Sequence, residues 1–252
     1  MKQFIHIIHS DFSRNINKDF DWWVYRLKIL ENFTLKSLQN QTNKDFYYVM
    51  YLRRCFPEKL VPELKRILKS SNLRHSNIYY DKENDLKNRI NADFPKAKYI
   101  YATRIDSDDL FHKEAVEEIQ SHKYSYRRAL IYQKGYCYDC INKKMRHHVM
   151  SCPPFHTIMY PYDIYLDLDT AAKYRTTTGG HDTIISGMNS VILSSDKYIV
   201  LFHGQNNRSR YTEPAKVGFE IIPHSEHENI LKNFNINENT WEKDVSNNIK
   251  RI

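Results

Sequence analysis

Three aspartates close the stretch YIYATRIDSDDLFH, residues 99–112: Asp106, Asp108 and Asp109. They follow a β-branched and aromatic run, Tyr99 to Ile105, that reads as a buried strand. Charge at the mouth of such a strand is costly unless something neutralises it. Side chains alternate along a strand, so Asp106 and Asp108 share a side, one pleat apart, and Ser107 faces the other way. Two carboxylates held that close repel unless a proton or a cation lies between them. Oxygen ligands without sulfur suit a hard divalent ion, Mg2+ or Mn2+, which keeps waters and bridges to phosphate oxygens of a substrate. Asp109, at the expected start of a helix over about 110–122, either caps that helix or reaches the ion's water shell. A cap uses one aspartate, so three at one strand end favour the cation over capping alone.

The preceding chain supplies the frame for these acids. QFIHIIH (3–9) reads as a first buried strand. Trp23, Leu27 and Leu30 recur at helical spacing after it, and Leu35 and Leu38 continue the stripe past a break. DFYYVMYL (45–52) is a second strand. Pro57 opens a helix with Leu60, Leu64, Ile67 and Leu68 on one face, ended by SSN at 70–72. NIYY (77–80) is a third strand, ENDLKNRINADF a short helix, and the acidic strand comes next. Strand and helix in alternation predict a parallel sheet with helical crossovers, and ligands in such sheets bind outside the carboxyl ends of the strands.

Beyond residue 122 the pattern changes. RALIYQ and KKMRHHVM read as antiparallel strands, SCPPFHTIMYPYD as a proline-broken loop, and KYIVLFHG (197–204) as a late buried strand. The expectation is one α/β domain with a mixed sheet over 1–222, followed by a polar extension over 223–252 whose apolar anchors are Phe234, Ile236 and Trp241. Cys137-x-x-Cys140, with His147, His148 and Cys152 downstream, has the residue types of a zinc site. The same cysteines also suit a plain hairpin around the polar turn Asn142-Lys143-Lys144, and that reading is preferred.

With 38 basic and 30 acidic residues, the net charge is +8. Such a balance favours anionic partners: a phosphorylated small molecule, nucleic acid or an acidic membrane surface. No apolar run approaches the roughly 20 residues of a membrane span. The start MKQFIHIIHSDF lacks a cleavage site, so the expected location is the cytoplasm. A two-metal nuclease built on Asp106, Asp108 and Asp109 is the competing reading, but no second acid cluster or dense Lys/Arg stripe accompanies them.

The segment RIDSDD resembles the DxD motif of glycosyltransferases with the GT-A fold, a Rossmann-like mixed sheet flanked by helices. RLKILENFTLKSLQNQTNKDFYYVMY (26–51), YQKGYCYD, CPPFHTI, GGHDTI and LFHGQNNRS are similar, in that order, to segments of the rhamnosyltransferase-like family. The resemblance implies transfer of a sugar, rhamnose by the family's label, from a nucleoside diphosphate to a hydroxyl of a glycan or of a lipid- or protein-linked acceptor. It implies inversion at the sugar, and no nucleic-acid partner. It places Asp108 on the Mn2+ or Mg2+ ion, Asp106 on the ion's waters or the donor ribose, and His203 as a further metal ligand. Asp182 becomes the general base and His181 its rival. Ser10, Arg14, Asn88 and Arg89 become donor contacts, Arg89 pairing with the diphosphate. Arg104 neutralises the acids as a salt bridge in an alternative reading. Phe155, His156, Tyr160 and Tyr162 are expected on an acceptor-side loop. The basic surface would attract the donor and allow peripheral contact with an acidic membrane where polysaccharide or lipid-linked acceptors collect.

Overall fold

The computed structural model describes residues 2–12, 18–52, 55–74, 76–80, 91–175, 183–206, 211 and 219–246. In chain order the first half runs β1 (Lys2–Asp11), α1 (Phe20–Ile29), a π-helical segment (Leu30–Thr34), α2 (Leu35–Gln39), β2 (Tyr47–Leu52), α3 (Val61–Ser70), β3 (Ser76–Tyr80) and β4 (Ala97–Arg104). The second half runs β5 (Leu110–Phe111), α4 (Ala115–Ser121), β6 (Arg128–Ile131), β7 (Lys134–Asp139), β8 (Lys144–Val149), β9 (His156–Pro161), α5 (Tyr162–Leu166), α6 (Leu168–Arg175), α7 (Ile184–Gly187), β10 (Asn189–Ile192), β11 (Tyr198–Phe202) and α8 (His224–Lys232). None of the described helices is long and apolar enough to cross a membrane.

Seven strands form the large sheet, in the order β10-β6-β9-β4-β1-β2-β3. Its β4-β1-β2-β3 half is parallel, as strand–helix alternation demands. Ile8, Tyr48, Met50 and Tyr101 point to one face and pack with Trp23, Leu27 and Leu64 of α1 and α3. Ile7, Val49, Ile100 and Ala102 point to the other, so each strand is apolar on both sides. Asp19 starts α1 by accepting a hydrogen bond from the Trp22 amide at 2.7 Å. The break expected after Leu30 is the π-helical turn, which carries the stripe on to Leu35 and Leu38 without a stop.

The second half departs from expectation in three places. It contributes to two sheets rather than one, the smaller having the order β5-β11-β7-β8. RALIYQ and KKMRHHVM do not pair: β6 lies antiparallel to β9, and β8 lies antiparallel to β7. Residues 151–163, read as a loop, contain β9, an interior strand between β4 and β6. Its prolines sit before the strand and at its last residue, so the five amides of His156–Tyr160 remain available to the two neighbours. Phe155, His156 and Tyr160 are consequently buried, and Phe155 stacks on Tyr198 with ring centroids 4.0 Å apart. These side chains do not form an exposed acceptor loop.

Chain beyond residue 222 packs on the small sheet. Leu231, Phe234, Ile236 and Val245 join Tyr136, Tyr138, Met145 and Leu201 in a third apolar cluster. Backbone hydrogen bonds from Ile222 to Met145 and from Lys113 to Asn233 fasten it.

Candidate active site

The strand β4 stops at Arg104, and the acids that follow occupy a turn closed by the Asp109 amide on the Asp106 carbonyl at 3.1 Å. Pleat alternation therefore lapses where the sequence reading relied on it. Ser107 and Asp108 do not face opposite ways: both meet the guanidinium of Arg26. Nor does Asp109 cap a helix, since β5 follows it and α4 starts only at Ala115. Its side chain turns inward, 4% exposed, and accepts a hydrogen bond from the Leu201 amide at 3.1 Å. Burial, and then the charges of Asp108 and Asp106, push the Asp109 carboxyl well above the usual range. A buried carboxyl thus ties the acidic turn to β11, two residues before His203.

Arg26 is the centre of the arrangement. It lies on the apolar stripe of α1, 3% exposed, with the Trp22 ring 5.6 Å away. Its Nη1 donates to Asp108 Oδ2 at 2.5 Å and to His203 Nε2 at 3.0 Å, while Nη2 donates to Ser107 Oγ at 2.9 Å. Because the guanidinium can only donate, Nε2 of His203 accepts, and Nδ1 carries the proton that it donates to Tyr25 Oη at 3.1 Å. Tyr25 in turn donates to the His203 carbonyl. Asn206 completes the ring: it accepts from the His203 amide at 2.9 Å and donates to Leu201 O at 2.8 Å and to Asp108 Oδ2 at 3.4 Å. Burial lowers the His203 pKa and keeps the ring neutral. Burial alone would raise the Asp108 carboxyl, but the Arg26 guanidinium outweighs it and holds the carboxyl well below the ordinary range.

Asp106 has its own partner. Arg104 donates from Nε and Nη2 to Oδ1 at 3.1 and 2.8 Å, which is the salt bridge considered from sequence. Burial raises the Asp106 pKa, Arg104 pulls it back, and the Asp108 charge adds to the rise. Each carboxylate is therefore held from behind through one oxygen. Asp106 Oδ2 and Asp108 Oδ1 accept no hydrogen bond from the described residues. Two unengaged carboxylate oxygens, with mutual repulsion still registered, fit a hard divalent cation approached from the open side. His203 does not fit that set. Its one lone pair is taken by Arg26, and its ligand atom is not gathered with those of Asp106 and Asp108 within 4.8 Å.

The remaining predicted residues divide cleanly. Ser10 is fully buried and accepts a hydrogen bond from Tyr48 Oη at 3.1 Å, so its side chain is not presented to a nucleotide. Its neighbour His9 is better placed, with a buried Nδ1 that no described residue satisfies. Burial lowers the His9 pKa to about 4, Asp11 opposes that, and Arg104 and Arg175 add to it. Arg14, Asn88, Arg89, His181 and Asp182 lie outside the described residues. Cys137 and Cys140 sit buried in the β7–β8 hairpin, Lys143 taking φ 54° at its turn, and burial pushes the Cys137 thiol up to about 12. Among the described residues no cluster of ligand atoms gathers around them.

Sequence reasoning missed Arg26, Tyr25 and Asn206. A signal for Arg26 existed: in WWVYRLKIL it falls three and four residues after the tryptophans and four before Leu30, a lone charge inside an apolar stripe.

No curated protein shows significant sequence similarity to the chain. Among solved structures it is similar to S. aureus TarS in complex with UDP-GlcNAc, at 14% identity and a TM-score of 0.46 over 100% of this chain and 76% of that one. A second S. aureus TarS structure gives 16% identity and 0.41, covering 80% of this chain and 60% of TarS. The mannosyltransferase PcManGT of Pyrobaculum calidifontis, in complex with GDP-Man and Mn2+, gives 9% and 0.44 over 82% and 58%. The chain thus spans about 60% of the length of that second TarS structure. The family model described as putative rhamnosyl transferase matches residues 10–216, and this protein accordingly belongs to that family of glycosyltransferases.

Proposed function

We propose that the chain transfers a sugar from a nucleoside-diphosphate donor to a hydroxyl acceptor, with the diphosphate seated over the Asp106–Asp109 turn. The observation that carries this reading is the pair of carboxylates, each braced by its own arginine and each keeping one oxygen that no described residue engages. Asp106 and Asp108 would hold a Mn2+ or Mg2+ ion together with the diphosphate oxygens, and the ion would spread the charge of the leaving group. His203 is a positioning residue in this scheme. It accepts from Arg26 Nη1 and so orients the guanidinium that, with Asn206, holds Asp108 through Oδ2.

The family's name suggests rhamnose, and inversion follows from a single displacement. The acceptor oxygen bonds to the anomeric carbon as the bond to the diphosphate oxygen breaks, and the acceptor's proton passes to a base. Asp182 is that base, with His181 as the second choice. Asp182→Asn should lower turnover about 10²-fold with donor binding retained, and lost donor binding would reassign the residue. His9, with the partnerless Nδ1 at the end of β1, takes the donor-side role first given to Ser10. Glycans and lipid- or protein-linked hydroxyls are the acceptor classes, reached in the cytoplasm or against an acidic membrane that the net charge of +8 favours. Failure to float with anionic vesicles would remove the membrane from this picture.

The deciding experiment is a thermal-shift panel of UDP, dTDP, GDP and CDP, each with Mn2+ or with EDTA. At about 100 times Kd a bound nucleotide stabilises by roughly 2.7 kcal/mol. A metal-dependent shift with one nucleotide supports the reading and identifies the donor class. A folded protein that responds to none of them refutes it.

A further inference from the structure

Beside the small sheet, α8 and the turn after it bring His224, His227 and Glu238 together, with one ligand atom of each within 4.8 Å of the others. The two imidazoles converge on a single oxygen: His224 Nε2 and His227 Nδ1 each lie 3.1 Å from Glu238 Oε1. No lysine or arginine among the described residues pairs with that carboxylate.

The hydrogen bonds around His227 fix what its Nδ1 can do. Nε2 faces the Ile222 carbonyl at 3.1 Å, and a carbonyl only accepts, so Nε2 carries the proton. In the neutral ring Nδ1 then offers a lone pair toward a carboxylate oxygen, and two acceptors do not face each other without a cation between them. An imidazole whose outer nitrogen donates to a backbone carbonyl is also how metal-binding histidines are oriented. The contact lengths agree with this: zinc bonds of about 2.0–2.1 Å at tetrahedral angles separate neighbouring ligands by about 3.3 Å.

The groups are set in place by the fold. Ile222, whose carbonyl holds His227, bonds through its amide to Met145 of β8. Glu238 rides on a turn closed by the Thr240 amide on Asn237 O and by Thr240 Oγ1, which accepts from the Asn237 amide at 3.0 Å. His227 and its neighbour Tyr138 are buried, their rings 6.2 Å apart, and the Tyr138 hydroxyl is enclosed without a hydrogen-bond partner. His224, by contrast, is 69% exposed, which leaves an entry path.

We propose that His224, His227 and Glu238 bind one zinc ion, with water in the fourth position, and that the ion clips α8 to the turn at Asn237–Thr240 over β8. Two nitrogens and one oxygen suit zinc better than the hard cations expected at the acidic turn.

The test uses untagged full-length protein purified without immobilised metal. Metal analysis after gel filtration should find one zinc per chain, and cobalt added to stripped protein should give the visible bands of four-coordinate Co2+. His224→Ala, on an exposed side chain that folding does not need, should weaken zinc binding at least about 10-fold, and Glu238→Gln should do the same. Asp108→Asn should leave the zinc content unchanged. Protein without zinc and without cobalt bands would overturn the proposal, leaving an imidazolium–carboxylate pair. Zinc held equally well by both ligand variants, or lost with Asp108→Asn, would overturn it too.

Discussion

His203 faces Asp108 across 3.2 Å and His227 faces Glu238 across 3.1 Å, two contacts alike in residue type and length. Arg26 is packed against the first and donates to both of its members, whereas the described residues bring no lysine or arginine to the second. The difference shows that a histidine beside a carboxylate does not by itself mark a metal centre. What decides is which third group supplies the positive charge. At the acidic turn the protein supplies it, the His203 lone pair is consumed, and only the oxygens of Asp106 and Asp108 that no described residue engages remain for a cation. At α8 the backbone carbonyl of Ile222 accepts the hydrogen bond of the His227 N–H and leaves the ring's lone pair inside the cluster.

The contrast is most severely strained by Asp108→Asn. Losing the outward anionic oxygen should cut turnover by about 10²–10³-fold, and wild-type kcat in this variant would remove the acidic turn from the chemistry. Arg26→Met comes next, measured by urea unfolding. It strips a partly buried carboxylate of its ion-pair partner and a buried imidazole of its donor, at about 3–5 kcal/mol. An equal loss from removing one member of the α8 cluster would erase the distinction between the two regions.

Acid sharpens the picture further. Burial lowers His6 to about 3 and His9, His112 and His148 to about 4, with charged neighbours making smaller adjustments. Against an unfolded value near 6.5, the unfolded chain binds the additional protons, so this stability is complete above about pH 6.5 and falls as pH drops toward 4. Each such histidine contributes a slope of up to about 1.4 kcal/mol per pH unit. The depressed Asp108 carboxyl adds its loss only below about pH 4, in the same direction. Urea unfolding at pH 7 and pH 5 reads the histidine part, and His6→Gln should flatten it. The smallest effect is zinc itself: at about ten times Kd it should stabilise by roughly 1.4 kcal/mol, reversibly with EDTA. A larger response to EDTA in Glu238→Gln than in wild type would contradict the assignment.

Local pattern carried the first half of the fold because β1 to β4 and their crossovers are contiguous, apolar and strongly periodic. The second half was harder to read for a tertiary reason. β9 is five residues and a closing proline, made a strand by neighbours on both sides that lie far off in sequence. The acids were visible as acids, yet their directions were not, since they sit in a turn where alternation stops. Asp108 and His203 stand out in the sequence, and the residue joining them, Arg26, lies 82 positions from one and 177 from the other. Spacing holds no record of such a contact. Only the oddity of a charge in an apolar stripe pointed to it.

The turn Asp106–Asp109 also has a mechanical side. Arg104 ends β4 in the large sheet and Leu110 begins β5 in the small one, so Ile105 and these four residues are the whole chain crossing between the two sheets at this point. The hydrogen bond from the Asp109 amide to the Asp106 carbonyl fixes the turn within that span. Substitutions here change chemistry, but one inserted residue would shift Ser107, Asp108 and Asp109 against three fixed anchors at once: the Arg26 guanidinium, the His203 ring and the Leu201 amide. The segment is a ruler as much as a site, and natural relatives that keep both sheets are expected to vary in what they place on it before they vary in its length.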